Sequence, residues 1–179
     1  MKIIKYFIEF IFIIILFIIF KIIGNKNASN LGEIIGKVIG PFTRSNKVIH
    51  KNLENLNINN SEKDKKIIIS NMWGNYGRIL AEYIFIKNYR KNNSTKNMHV
   101  IGQNILDKII KNNEPVIFVS GHFNNFELMA MHLEKSGLDL AAIYRPLNNI
   151  FLNPVMERIR KKYICKKQIK KGISGTKEI

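Results

Sequence analysis

The chain has 179 residues, enough for one domain with a sizeable core and short of the length expected for two. Lysine and arginine number 29 against 13 acidic residues, a formal net charge of +16 that points to a polyanionic partner, either nucleic acid or an anionic membrane surface with its phosphorylated lipids. The single cysteine, Cys165, excludes an intramolecular disulfide.

At the N-terminus, Phe10 to Phe20 is unbroken hydrocarbon, and Ile3 to Ile23 would extend roughly 31 Å as a helix, about the thickness of a bilayer core. Lys5 and Glu9 sit toward one end, where their cost is lower than at mid-membrane. No small-x-small cleavage site follows Phe20, so a retained anchor over residues 1–24 is favoured over a signal peptide, with residues 25–179 as the domain it tethers. That anchor favours a membrane over nucleic acid as the polyanion. Lysines flank both sides of the segment, so charge alone does not set its orientation. The densest basic stretches are Lys63, Lys65 and Lys66, and Arg158 to Lys171. Near an acidic leaflet each such residue contributes about 1 kcal/mol. Part of the excess also reflects an AT-rich coding bias, visible as Ile, Lys and Asn throughout.

Gly24 to Gly32 is polar and turn-rich and reads as a linker. Ile67 to Tyr89 carries apolar residues at helical spacing, with Trp73, Tyr76, Tyr83 and Phe85 as core or membrane-contacting positions. Asn92 to Lys96 reads as an exposed loop. Pro115 to Ser120 is short, β-branched and aromatic, the pattern of a buried strand. Gly121 then permits a sharp turn before a helix from about Phe126.

That turn holds His122, with Glu127 five positions on. Five residues rotate an ideal helix by about 500°, so the pair could not share a helical face, which puts His122 in the turn and Glu127 in the first helical turn. A histidine beside a carboxylate is the material of a general base with its orienting partner. The plainer reading makes Glu127 a helix cap, three positions after Asn124, and His122 an ordinary loop residue. A strand end in an α/β layer is where sites gather, which favours the first. Leu138 to Tyr144 reads as another strand, followed by Arg145 and by a helix near Asn153 with Pro154 at its first position. If the two strands are parallel neighbours joined by a helix over Phe126 to Ser136, Arg145 and His122 face one crevice, a base beside a fixed cation. The alternative pairs Arg145 with a surface carboxylate.

These residues resemble the bacterial lipid A biosynthesis acyltransferases of the late, lauroyl- or myristoyl-type. The likeness runs through the apolar N-terminus, Met72 to Tyr83, His99 to Leu106, Gly121-His-Phe-Asn-Asn-Phe-Glu127, Ile143-Tyr-Arg-Pro146 and Asn153 to Arg160. The family usually has glycine at the position of Asn124 and tryptophan at that of Phe126, and its members continue beyond Ile179, so the chain is expected to be C-terminally truncated. The resemblance implies an α/β fold, an acyltransferase-like layered sheet with flanking helices preceded by an N-terminal membrane helix. It implies a catalytic pair, His122 and Glu127, with Arg145, Tyr144 and Asn125 as substrate-binding residues and no metal or cofactor. It further implies acyl carrier protein as donor, an anionic glycolipid acceptor, and a domain on the cytoplasmic face of the bacterial inner membrane.

Two other functions fit the sequence. A glycerophospholipid acyltransferase usually carries aspartate at the position of Glu127 and matches the Tyr144-Arg-Pro146 context less well. A catalytically inactive, membrane-tethered basic fragment would keep the His122 site without a complete pocket. The sequence has no H-E-x-x-H pair, zinc-spaced Cys/His set, G-x-S-x-G elbow or Walker loop. His99 and His132 read as structural, and Cys165 lacks a neighbouring base.

Overall fold

The computed structural model describes residues 1–55, 61–91 and 99–177, so the loop expected at Asn92 to Lys96 lies outside the described residues. The order of elements is α1 (Lys2–Ile23), α2 (Asn25–Ile39), a short 3-10 turn, α3 (Asn46–Glu54), α4 (Glu62–Glu82), a second 3-10 turn (Tyr83–Phe85) and α5 (Ile86–Lys91). It continues with α6 (Gln103–Asn112), α7 (Glu127–Lys135), β1 (Ala141–Tyr144), α8 (Leu152–Tyr163), β2 (Lys167–Lys170) and α9 (Ile173–Thr176). The architecture is mostly helical, with one small parallel sheet in which β1 pairs with β2, Ala141 opposite Lys167 and Tyr144 opposite Lys170. Its α/β character rests on this β1–α8–β2 unit. Two compact units result, one of Met1–Ile11 with Ile86–Ile179, the other of Phe12–Phe85.

Helix α1 has the length and apolar composition to cross a membrane. Ile4, Ile8, Ile15 and Ile22 are among its many exposed hydrocarbon side chains, 66%, 62%, 50% and 78% accessible.

In the second unit, α2 lies where a linker was expected. Gly24 alone breaks the chain, at φ 79, and the polar run beyond it is helical. The reason is tertiary: Ala28, Gly32, Gly36 and Gly40 recur every four residues and form a stripe of small residues, whose glycines α4 meets with Trp73, Gly77 and Ala81. A Cβ on Gly77 would overlap the carbonyl oxygen of Gly32, and one on Gly36 would overlap that of Trp73. Backbones approach this closely only where side chains are absent. Polar groups flank the stripe: Ser29 Oγ donates to Glu82 Oε1 at 2.8 Å, Arg78 reaches Asn30 Oδ1 at 3.3 Å and pairs with Glu33, and Lys37 donates to Glu33 Oε1 at 2.5 Å. The Lys37 hydrogen bond, aided by the Arg78 charge, holds the Glu33 carboxyl below its usual range.

Helix α4 starts at a capping box, Ser61 Oγ accepting from Asp64 N and Asp64 Oδ2 from Ser61 N, each at 3.2 Å. Trp73, Tyr83 and Phe85 are buried as expected, whereas Tyr76 is 46% exposed. Gly77→Ala gains about 1 kcal/mol of helix propensity. Overpacking against backbone that cannot yield costs about 1–3 kcal/mol, and here occurs on both sides of the contact. The net expectation is a destabilised protein in chemical denaturation, and an unchanged midpoint would show that the two helices separate at no cost.

The first unit takes its core from Ile86, Leu106, Met131, Leu133, Leu152, Met156, Ile164, Cys165 and Ile169, all buried. Three local expectations change here. Pro115 to Ser120 is not a buried strand: it is irregular, with Ile117 92% and Val119 91% exposed. Among the described residues, no backbone hydrogen bond joins residues 115–123 to a neighbouring strand, and β-propensity without a ladder partner does not make a strand. The strand expected from Leu138 forms only over Ala141–Tyr144, and its partner is β2. Helix α8 begins at Leu152, which puts Pro154 at its third position, still inside the first turn where a missing N–H costs nothing.

Candidate active site

The turn before α7 is built around Asn124, whose φ of 45° is one of two left-handed non-glycine conformations among the described residues. Asparagine tolerates that region better than most side chains, so it can stand in for a glycine here. Phe126 N donates to Asn124 O at 3.1 Å and Leu128 N to Asn125 O at 3.1 Å, and α7 follows with Glu127 at its first position. His122 lies outside the helix and is exposed, and its ring meets the edge of Phe126 at 4.3 Å between centroids. Asn125 is half-buried.

Glu127 is the first residue of α7, with Phe126 rather than Asn124 at the N-cap position. Its carboxylate is buried, 7% accessible, and it accepts from Arg160 Nε at 2.8 Å, with Arg160 Nη2 at 2.7 Å from the same Oε1. The Arg160 side chain is itself only 16% exposed. A charge this deep must be paired, and the planar guanidinium meets the carboxylate through two N–H groups. Arg160 comes from α8, 33 residues along the chain, so the contact locks α8 to the start of α7.

Arg160 also stands over the Tyr144 ring, 5.9 Å from its centroid. Two of the expected site residues, Glu127 and Tyr144, thus meet through a third that sequence reasoning missed. In the sequence Arg160 shows only as the last residue of the Asn153 to Arg160 resemblance and as part of the basic stretch. The Tyr144 hydroxyl is buried without a hydrogen bond of ordinary geometry; burial and then the nearby Glu157 charge push it up. Glu157 is itself held low, chiefly by Lys161 at 2.9 Å. On the adjoining surface of α8, Pro154, Glu157, Arg158, Lys161 and Lys162 line an open hollow of about 480 Å³, three cations around one already paired carboxylate. That composition suits an anionic group.

The structure holds Glu127 on Arg160 and His122 on Phe126 instead of on each other. Arg145 is exposed at the end of β1, and no carboxylate is within ion-pair distance of it among the described residues. His132 is structural, its Nε2 3.1 Å from Gln103 Oε1. Cys165 is buried, its Sγ 3.0 Å from Leu140 O, and burial pushes the thiol up, away from nucleophilic chemistry. No group of three His, Cys, Asp or Glu side chains among the described residues could hold a metal ion.

The family model described as bacterial lipid A biosynthesis acyltransferase matches residues 1–172. Neither a curated protein nor a solved structure matches the chain.

Proposed function

The chain belongs to the bacterial lipid A biosynthesis acyltransferase family, and on that footing we propose that it moves a fatty acyl chain from the thioester of acyl carrier protein to a hydroxyl of a phosphorylated glucosamine disaccharide carrying hydroxyacyl chains. Acyl transfer in lipid A biosynthesis is the family's chemistry. The observation that carries the finer reading is an accessible imidazole, His122, on the loop that leads into a buried, charge-fixed carboxylate, Glu127.

His122 removes the proton of the acceptor hydroxyl as its oxygen attacks the thioester carbonyl. The carbon–sulfur bond then breaks, and the imidazolium returns the proton to the departing thiolate. Glu127 orients the ring and stabilises its charged form. Each carboxylate oxygen has two lone pairs, so one group can serve an imidazole N–H and Arg160 together. Bringing His122 onto Glu127 requires residues 121–123 to move, and the loop is built for that, with no backbone ladder holding it. The edge of β1 opposite β2 is unpaired among the described residues, and Pro115–Ser120 has the composition to dock there as a third parallel strand. Docking would complete the layered sheet and carry His122 to the end of β1 where Arg145 lies, with Arg145, Tyr144 and Asn125 contacting the substrate. The apolar α1 tethers the protein to the inner membrane, with the catalytic unit on the cytoplasmic side that supplies the donor.

The test is acceptor choice. The whole chain in detergent micelles, given acyl carrier protein thioester, should acylate a lipid A precursor and leave lysophosphatidate untouched. Preference for lysophosphatidate would reassign it to glycerophospholipid synthesis, and transfer to neither would leave a tethered basic protein without this activity.

A further inference from the structure

Helix α7 turns two carboxylates toward its neighbours, and the catalytic reading uses only the first. Glu127 and Glu134 are seven residues apart, which puts them two turns from each other on the same face, about 10 Å along the axis. Met131 stands between them, 2% exposed. The Glu134 side chain is 10% exposed, so this second carboxylate also needs a cation, and Arg90 at the end of α5 supplies it, donating from Nη2 to Glu134 Oε2 at 2.5 Å.

The same guanidinium reaches α8. Its Nη1 donates to the main-chain oxygen of Tyr163 at 3.2 Å. Tyr163 is the last residue of α8, so its carbonyl is one of the four that the helix cannot pair internally, and a cation is favoured at that end. Arg160 lies three residues earlier, in the same turn. Its own carbonyl accepts from Ile164 N at 2.8 Å and Cys165 N at 3.0 Å, and both of those residues are 1% exposed. The backbone that carries Arg160 is thus held by the buried chain leaving α8 and by Arg90. Two ion pairs therefore join α7 to α8, Glu127 directly through Arg160 and Glu134 through Arg90 to the end of α8. One attachment lets a helix swing about it. The second, two turns along α7, fixes the angle at which Arg160 meets Glu127.

We propose that Arg90 is a positioning residue for acyl transfer: by bridging Glu134 and the Tyr163 carbonyl it sets the place of Arg160, and through it the direction of the Glu127 carboxylate that orients His122. The inference rests on the proposed role of Glu127. Arg90 acts through α7 and α8, so its effect belongs to the chemical step and not to the holding of either substrate.

Arg90→Met alone would strand the Glu134 charge, so the test combines it with Glu134→Gln, which leaves no unpaired carboxylate behind. Transfer from acyl carrier protein thioester to a lipid A precursor is measured in detergent micelles for the unaltered chain, for this paired variant, for Glu127→Gln, and for all three changes together. The paired variant is expected to lose about 10- to 100-fold in kcat with KM for the acceptor nearly unchanged, the scale of loss that a displacement of about 1 Å produces at a reacting centre. Added to Glu127→Gln, the two changes should cost nothing further, because the group they position is already gone. A drop that came only from fewer folded molecules would instead multiply in full onto Glu127→Gln, and that result would overturn the proposal. Unchanged kcat in the paired variant, or a loss confined to KM, would overturn it while a slow Glu127→Gln left the role of Glu127 standing. Transfer at the unaltered rate in Glu127→Gln would overturn that role and this proposal together.

Discussion

His122→Ala is expected to slow acyl transfer by about 10²- to 10⁴-fold, the range over which a positioned general base contributes. The fold should not register the change. His122 is exposed, meets Phe126 edge-on, and belongs to a stretch outside the backbone ladders, and exposed substitutions of that kind usually stay within about 0.5 kcal/mol. The loss should fall on kcat with KM for the acceptor nearly unchanged, because the base acts on a proton in flight and contributes nothing to holding either substrate. His122→Gln sharpens the test: it preserves hydrogen bonding and size but cannot shuttle a proton, and it should be as slow as the alanine variant. Transfer at near the unaltered rate in His122→Ala would sink the assignment, and a matching drop in thermal stability would recast His122 as structural.

What could be read in the sequence was local in origin. The apolar run of α1, the helical spacing of α4 and the entry of Glu127 into the first turn of α7 all follow from neighbours along the chain. Asn124 is a subtler case. The turn asks for a left-handed residue, and asparagine supplies it, so a departure from glycine still fits the backbone. What could not be read was tertiary. Gly24 to Gly32 looks like a linker because the small residues beyond Gly24 only become a helix face when α4 brings matching small residues to them. Lys167 to Lys170 looks like surface, since only Ile169 of its four residues is buried and the remaining evidence of a strand is the β1 ladder. Pro115 to Ser120 shows the converse, a good strand composition that stays irregular in the described structure. Of the proposed site, His122, Glu127 and Tyr144 are marked out in the sequence, whereas Arg160, which contacts two of them, stands there only at the end of a motif and in a basic stretch.

Arg160→Met is the second large effect. It removes the guanidinium from a carboxylate that is 7% exposed, and breaking a buried pair by deleting one partner typically costs about 3–5 kcal/mol, because the stranded charge loses its compensation. At this chain length 1 kcal/mol corresponds to about 2–4 °C, so the melting temperature should fall by roughly 6–20 °C. Transfer should fall too, since Glu127 without Arg160 must either take up a proton or turn toward water, and both leave His122 without its orienting charge. The double variant Glu127→Gln with Arg160→Met separates the two consequences. It deletes both charges, so much of the stability should return, and it also deletes the carboxylate, so activity should not. Coupling between contacting residues is commonly about 0.5–3 kcal/mol in such a cycle, and a buried ion pair belongs at the upper end. If the double variant regained activity along with stability, Glu127 would be a structural partner of Arg160 and His122 would work without it. If the single change left both stability and transfer untouched, the pair would not hold α8 against α7 at all.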